Sequence, residues 1–270
     1  MALRLAHQLA EEAARVPVLR SLITSIFKRR FDRASGQIRR FYGIYPDFEA
    51  ATRDIPALRL TGYDNDASAL RLADDRLRIF PFDYPVMLWL QKLLPEVRMV
   101  FDLGGNVGTS YYGYRKYLQY PGRLHWLVSE VAAVAALGTK VAEEAGATQL
   151  RFTTELTELP GADVFLAAGS LHFIPGPFKL LRSVSALPKH LLINKVPAYD
   201  LPSAVTLENM GSAFNPYQLF NRAEFVGQFE SMGYQIADQW RSPDLSCEIP
   251  FFPEHSIRGY TGFYFRRRNA

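Results

Sequence analysis

The stretch Arg98-Met99-Val100-Phe101-Asp102-Leu103-Gly104-Gly105-Asn106-Val107-Gly108-Thr109 decides the fold. A short apolar run ends at an acidic residue and breaks into glycines, and the aromatic-rich segment 110–118 that follows predicts a helix. A strand, a glycine turn and a helix in this order form the first unit of a nucleotide-binding site, because a turn without Cβ atoms lets a ligand lie against backbone N–H groups.

The spacing of the glycines argues against two kinds of phosphate site. When the dinucleotide pattern Gly-x-Gly-x-x-Gly is aligned on Gly105 and Gly108, Leu103 stands where its first glycine belongs. A P-loop needs a Gly-Lys-Ser or Gly-Lys-Thr ending, and none follows here. What remains is an acidic residue at the strand end, Asp102, before a glycine turn. A carboxylate there repels a pyrophosphate but attracts the sulfonium and α-ammonium groups of S-adenosylmethionine.

The chain resembles class I S-adenosylmethionine-dependent methyltransferases. More closely, it is similar to a bacterial methyltransferase family, a little under 300 residues long, that is often associated with surface-polysaccharide gene clusters. The similarity runs through segments 41–45, 102–108, 126–130, 167–173, 192–197, 233–234 and 262–265. Asn106 replaces the middle glycine of the common methyltransferase turn, and we expect it to adopt the left-handed conformation that Asn tolerates. The resemblance implies S-adenosylmethionine as cofactor and O-methylation of a small-molecule, saccharide or glycolipid acceptor.

Composition narrows the class of protein. The 270 residues suit one large α/β domain, and we expect a helical or irregular extension over 1–95 and a Rossmann-like methyltransferase domain over 96–270. A formal charge of +4 does not indicate a nucleic-acid binder. The single cysteine, Cys247, excludes an internal disulfide and a Cys-cluster metal site, and no metal is predicted. No apolar run approaches the roughly 18 residues of a membrane span, so we expect a cytoplasmic protein.

The hydrophobic pattern predicts strands that alternate with helices. This alternation indicates an α/β fold with a seven-stranded, mostly parallel sheet and helices on both faces, and the resembling family adds an antiparallel last strand. The predicted strands are 98–103, 124–130, 149–153, 162–168, 189–195, 234–240 and 260–265, and the predicted helices are 86–94, 107–118, 131–145, 177–186 and 221–232. We expect an irregular segment over 45–85, a long connection over 194–218 that covers the acceptor, and a proline-rich connection over 243–253 between the last two strands.

The N-terminal segment predicts amphipathic helices over 2–15 and 19–31. In the second helix, apolar residues (Leu19, Leu22, Ile23, Ile26, Phe27) precede the densest basic cluster of the chain (Lys28, Arg29, Arg30, Arg33, Arg39, Arg40). The helix either docks on an anionic membrane surface at the inner membrane face, or packs on the catalytic domain with its arginines in solvent.

Four groups of residues are candidates for cofactor binding, each with an alternative. Asp102 either meets the ammonium end of the cofactor or shapes the turn by accepting its N–H groups. Glu130 closes the second predicted strand, where it either accepts the ribose hydroxyls or meets the dipole of the next helix. The turn residues allow close backbone approach or only form a tight turn (Gly104, Gly105, Asn106, Gly108). Further candidates follow the third and fourth predicted parallel strands (Thr154 with its neighbours for adenine, then Gly169 and Ser170).

Fewer residues are candidates for binding or activating the acceptor. His172 either removes a proton from the acceptor hydroxyl or is a packed histidine, and methyl transfer also proceeds by proximity without a base. Within 194–218 we expect Lys195, Tyr199 and Tyr217 to bind the acceptor. Two other functions stay open: a nicotinamide-dependent oxidoreductase on the same fold, and a non-catalytic methyltransferase-like module in a biosynthetic complex.

Overall fold

The computed structural model describes residues 17–36, 39–64 and 78–268, with side chains from residue 21 onward. Its helices are α1 Pro17–Arg33, α2 Phe48–Arg53, α3 Tyr84–Leu93, α4 Thr109–Tyr114, α5 Ala132–Glu144, α6 Pro177–Ser183 and α7 Arg222–Ser231. Its strands are β1 Arg40–Tyr45, β2 Met99–Leu103, β3 His125–Ser129, β4 Leu150–Thr153, β5 Val164–Ala168, β6 His190–Val196, β7 Ala198–Tyr199, β8 Ala204–Asn209, β9 Phe214–Asn221, β10 Tyr234–Cys247 and β11 Ile257–Arg267. Short 3-10 turns span Pro81–Asp83, Leu159–Gly161, Leu171–Phe173 and Pro253–His255.

Within these ranges, the central sheet has seven strands in the order β10-β11-β6-β5-β2-β3-β4. Strands β2 to β6 are parallel, and β11 runs antiparallel between β6 and β10. The predicted fold class and its antiparallel end are therefore confirmed. Strand order reverses at β2, which pairs with β3 on one side and β5 on the other. A ligand of such a sheet binds outside the carboxyl ends of the strands at this reversal.

Alternate residues of the parallel strands enter two separate cores. On one face, Phe101, Phe165 and Leu191 pack with Phe225 and Phe229 of α7. On the other face lie residues of the same strands together with α3 and α4 (Val100, Trp126, Val164, Leu192, Leu90, Tyr111, Tyr114). Burying both faces is typical of parallel sheets, and each such side chain contributes about 1.5–3 kcal/mol. The two cores hold the carboxyl ends of β2, β5 and β6 side by side.

A second sheet, β1-β8-β9-β7, was not predicted. The expectation of a long loop over 194–218 was wrong, because this segment forms β7, β8 and most of β9. All six residues of β8 are buried, including the polar Thr206 and Glu208, so polarity concealed the strand. Segment 45–85 was expected to be irregular, yet it contains α2 and a bridge from Thr61 to Phe214.

Helix α1 confirms the predicted helix over 19–31, but its apolar face is divided. Phe27 and Phe31 pack against protein at Tyr42, and Phe31 also meets Phe214 edge-on. Leu22 and Ile26 point outward, 59% and 45% exposed. The helix predicted over 2–15 lies outside the described residues.

Strand β1 ties the expected N-terminal extension to the rest of the chain, because it pairs antiparallel with β8. The boundary at 95/96 stays a prediction. At the other end of the chain, β10 continues beyond the predicted 234–240 to Cys247 and includes Pro243, at a register shift between Ser242 and Ser246. A bulge on an edge strand is where a sheet tolerates proline. Among the described helices, none combines the length and apolar character needed to cross a membrane.

Candidate functional site

The turn after β2 lies at the reversal of strand order and has left-handed backbone at three positions. Gly104, Asn106 and Gly108 have φ values of 68°, 59° and 90°. The expected left-handed conformation of Asn106 is therefore present, at a position where a β-branched residue would be strained. A Cβ on Gly104 would lie 2.4 Å from the Cβ of Ser170, so the end of β2 touches the loop after β5.

Most N–H groups of this turn donate hydrogen bonds to acceptors within the protein. Gly104 donates to the carbonyl of Ser129 at 2.8 Å, and Asn106 donates to Glu130 Oε1 at 3.0 Å. Between residues 104 and 108, the N–H of Gly105 is the one without an acceptor in the described part of the chain. A Cβ on Gly105 would lie 2.4 Å from Asp102 Oδ2, so contacts inside the protein already require glycine there. Close approach of a ligand to these glycines stays a prediction.

Asp102 is fully buried near the end of β2, and only one of its oxygens has a partner. Oδ2 accepts a hydrogen bond from Trp126 Nε1 at 3.1 Å, whereas no described residue bonds Oδ1. Burial raises the pKa of Asp102 to about 7, helped by the charge of Glu130 and opposed by the Trp126 bond. The carboxylate does not accept N–H groups of the turn, so the alternative that it shapes the turn in this way was wrong. Glu130 takes that role.

Glu130 stands directly after β3 and bridges the turn and the next helix. Its Oε1 accepts from Asn106 N, and its Oε2 accepts from Val131 N at 3.0 Å, just before α5. Burial raises the pKa of Glu130, and these two bonds oppose the rise. These contacts are the ones expected if Glu130 meets the dipole of the next helix, which was the alternative to ribose binding. Each oxygen keeps a lone pair that could accept a hydroxyl, so ribose binding stays a prediction.

The loop after β5 closes the site from the other side of β2. Gly169 has φ 96°, and Ser170 donates its hydroxyl to the carbonyl of Leu103 at 2.5 Å. Ser170 is buried. The carboxyl ends of β2 and β5 are thus bound to each other at the reversal point.

Lys195, predicted to bind the acceptor, lies near the end of β6 beside this loop. Its Cε is 3.2 Å from where a Cβ on Gly169 would stand, and its Nζ lies 5.1 Å from the centre of the Phe82 ring. Its backbone is left-handed, with φ 59°, which is uncommon for lysine. Burial lowers the pKa of Lys195, and the charges of Asp83 and Asp102 oppose this.

Asp83, which was not predicted as a site residue, lies near the carboxyl end of β6, close to Lys195. It is buried and accepts bonds from Phe80 N at 3.0 Å and from the Tyr114 hydroxyl at 3.2 Å. Burial raises the pKa of Asp83, and Lys195 opposes this. Asn194 donates to the carbonyl of Phe82 at 2.8 Å, which holds this turn against β6. An acidic residue three positions before the predicted helix 86–94 was the available signal.

His172 has the surroundings of a packed histidine. It is buried in the 3-10 turn after β5, and its ring centre lies 4.3 Å from those of both Phe173 and Tyr217. Burial, together with the nearby Arg39 and Lys195, holds its pKa well below the usual range, so the imidazole is neutral at pH 7. Its role as a base stays a prediction.

The predicted acceptor residues Tyr199 and Tyr217 are buried in the core of the second sheet. Tyr199 donates to the carbonyl of Pro202 at 2.7 Å. Tyr217 donates to Tyr260 at 2.8 Å and accepts from Arg39 Nη2 at 3.2 Å. Arg39 also pairs with Glu208 at 2.5 Å. In the sequence Arg39 belongs only to a basic cluster, because its partner Glu208 lies 169 positions further along the chain.

Other predicted features lie apart from these residues. Thr154 is exposed after β4, where Thr153 accepts from the N–H of Glu155 at 3.1 Å. A cleft of about 440 Å³ opens between α5 and β4 but is lined by none of the predicted site residues. Among the described residues, no group of three or more His, Cys, Asp or Glu side chains is arranged to hold a metal ion.

Comparison with solved structures finds proteins to which this chain is similar in fold. No family model matches the chain, and no curated protein matches its sequence. The crystal structure of OxaC has a TM-score of 0.50 at 11% identity, covering 76% of this chain and 52% of that one. The Burkholderia thailandensis 1,6-didemethyltoxoflavin-N1-methyltransferase, crystallised with S-adenosylhomocysteine, has a TM-score of 0.49 at 17% identity, covering 80% and 98%. Magnesium protoporphyrin IX methyltransferase from Synechocystis PCC 6803, with bound SAM, has a TM-score of 0.47 at 14% identity, covering 90% and 91%. At these identities the likeness concerns the fold alone.

Proposed function

We propose that this protein is an S-adenosylmethionine-dependent methyltransferase that methylates a hydroxyl of a small-molecule, saccharide or glycolipid acceptor. The observation that carries the proposal is the buried Oδ1 of Asp102, which has no hydrogen-bond partner among the described residues at the reversal of strand order. A buried acceptor without a donor is unfavourable, and the cost is larger for a charged group. The α-ammonium group of the cofactor is a cationic donor that fits this oxygen.

The residues around Asp102 fit the remainder of such a cofactor. Glu130 keeps lone pairs for ribose hydroxyls, the left-handed turn offers the N–H of Gly105, and Thr154 stands at the next strand end. When bound, the cofactor supplies an activated methyl group. No side chain has to perform that activation, so positioning is the main task of the protein.

The acceptor side is proposed around His172 and the second sheet. A neutral imidazole is the form that accepts a proton, and His172 follows the β5 loop that adjoins the turn. Tyr199 and Tyr217 lie in the same sheet core and would contact the acceptor after rearrangement of their present hydrogen bonds. The saccharide class rests only on the resemblance to a family associated with polysaccharide gene clusters.

Calorimetry with S-adenosylhomocysteine tests the cofactor. We expect binding to the wild-type protein and weaker binding to Asp102→Ala and Glu130→Ala, with Glu144→Gln on the exposed side of α5 as a control that binds normally. Binding of NADH but not S-adenosylhomocysteine would favour the oxidoreductase. Binding of neither by folded protein would favour the non-catalytic module.

We further propose peripheral contact with anionic membranes through α1. Exposed Leu22 and Ile26 share one helical face with exposed Arg29 and Arg33, because the four positions follow helical spacing. Apolar and basic groups on one face suit the boundary between headgroups and acyl chains. Co-sedimentation with anionic vesicles should weaken in the Leu22→Ser/Ile26→Ser variant, whereas equal sedimentation of the two proteins would remove the proposal.

A further inference from the structure

We infer that Lys195 and Asp102 together recognise the zwitterionic α-amino-acid end of the cofactor, with Lys195 pairing with its carboxylate and Asp102 with its ammonium group. The inference rests on the proposed function and assigns Lys195 to the cofactor and not to the acceptor. It makes Lys195 a binding residue of the same site.

Three neighbouring strand ends bring the two side chains to opposite sides of one loop. β5 lies between β2, which carries Asp102, and β6, which carries Lys195. Ser170, after β5, bonds the carbonyl of Leu103 on one side. Gly169 lies against the Lys195 side chain on the other side, where the space for a Cβ is only 3.2 Å from Cε. Asp102 and Lys195 therefore flank the same loop.

The two opposite charges do not satisfy each other. Within the described residues, Lys195 makes no ion pair within 4.0 Å and no hydrogen bond, and its Nζ lies over the face of the Phe82 ring. Asp102 Oδ1 also has no partner. Each charge nevertheless affects the pKa of the other group, so they lie within electrostatic range. A partly buried cation and a buried anion that flank one loop without pairing are complementary to a ligand with both charges.

The backbone conformation at the end of β6 fixes the position of Lys195. A lysine with φ 59° is in a sparsely populated conformation that persists only when its surroundings impose it. Asn194, directly before it, donates to the Phe82 carbonyl at 2.8 Å and accepts from Trp240 Nε1 at 3.0 Å. These bonds anchor the end of β6. Gly169 has no side chain that would occupy the space beside the lysine.

Three adenosine probes separate the parts of the ligand. S-adenosylhomocysteine carries both charged groups, S-adenosyl-3-thiopropylamine lacks only the carboxylate, and 5′-methylthioadenosine lacks the whole amino-acid end. By calorimetry, Lys195→Met should weaken binding of the first probe by about tenfold to a hundredfold, the size expected for one charge-assisted hydrogen bond, and leave the other two unchanged. Asp102→Asn should weaken binding of the first two probes and spare the third. Lys140→Met, an exposed lysine on α5, is the matched control and should bind all three normally.

Lys195→Asn removes the same charge with a residue that tolerates left-handed backbone, so a folding defect of the methionine variant cannot decide the result. Unchanged binding of S-adenosylhomocysteine by either folded variant would overturn the inference. An equal loss of all three probes would also overturn it, because the effect would not concern the carboxylate. If the wild-type protein binds none of the probes, the proposed function itself fails.

Discussion

The indole Nε1 of Trp126 donates a 3.1 Å hydrogen bond to Asp102 Oδ2 across the β2–β3 pair, and both side chains are fully buried. The bond lowers the pKa of Asp102, but burial has the larger effect and raises it to about 7. The charge of this carboxyl therefore changes near neutral pH, where an ordinary aspartate is fully ionised.

The first prediction concerns stability against pH. Because the folded-state pKa of Asp102 lies above its ordinary value, its protonation stabilises the fold at low pH, and this contribution is lost as pH rises through about 7. Relative to Asp102→Asn, the wild-type protein should lose stability as pH rises from about 4, the unfolded pKa, to about 7, the folded pKa, by at most about 4 kcal/mol in total. Urea unfolding at four pH values measures this difference, and parallel pH profiles of the two proteins would contradict it.

The second prediction concerns the bond itself. Trp126→Phe removes the donor, so the pKa of Asp102 should rise further and the pH midpoint of the stability difference should move upward. Trp89→Phe removes a comparable bond, 2.7 Å to Asp238, away from the site and is the matched control. Titration of the Asp102 carboxyl by NMR checks both variants, and equal midpoints in the two would count against the effect.

The third prediction concerns the contact between the β2 turn and the β5 loop. Gly104→Ala combines φ 68° with a Cβ 2.4 Å from that of Ser170, so it should destabilise the fold by about 2–4 kcal/mol. Gly122→Ala, with open space around it, should change stability little. Ser170→Gly alone loses the hydrogen bond to the Leu103 carbonyl, so it is the reference for the double variant. In the Ser170→Gly background, Gly104→Ala should cost less than in the wild-type protein, since one of its two causes is removed. Thermal unfolding of the five proteins tests this, and an equal cost in both backgrounds would mean that backbone strain is the whole effect.

The fourth prediction concerns the ion pair that ties β1 to β8. Glu208→Ala removes a carboxylate whose side chain is 2% exposed and leaves Arg39, 39% exposed, without its acidic partner. We expect a loss of about 2–4 kcal/mol, below the upper range for fully buried pairs because solvent reaches the arginine. The exposed pair Arg53–Glu49 provides the control, and Glu49→Ala should cost well under 1 kcal/mol. Similar losses in the two variants would show that the burial of Glu208 adds nothing.

The sequence predicted the central sheet well, because its strands are short apolar runs between helical segments and glycine turns. The turn after β2 was predicted down to the conformation of Asn106, since φ preferences are local. The second sheet was missed for the opposite reason. Its buried strand β8 carries Thr206 and Glu208, and its partner β1 lies far away in the sequence. Only tertiary packing shows that these polar residues are inside.

In the candidate site, too, features set by the local sequence were predictable, and features set by tertiary packing were not. The positions of Asp102 and Glu130 at strand ends followed from the strand pattern, but their partners did not. Which N–H groups Glu130 accepts depends on side-chain conformation, which periodicity does not encode. Predicting that Lys195 lies beside Gly169 requires knowing that β5 and β6 are neighbours, and predicting the position of Asp83 requires knowing that its turn folds against β6.

The pairing of β1 with β8 has a consequence for how the protein is made. Each of the strands β2 to β6 pairs with another of these strands, which is synthesised soon before or after it. In contrast, Phe41 of β1 pairs with Glu208 of β8, which is synthesised much later. Until then β1 presents an open edge and apolar side chains, which are features that chaperones bind and that promote aggregation. We therefore expect the second sheet to close late in biosynthesis, onto a central sheet that has already formed.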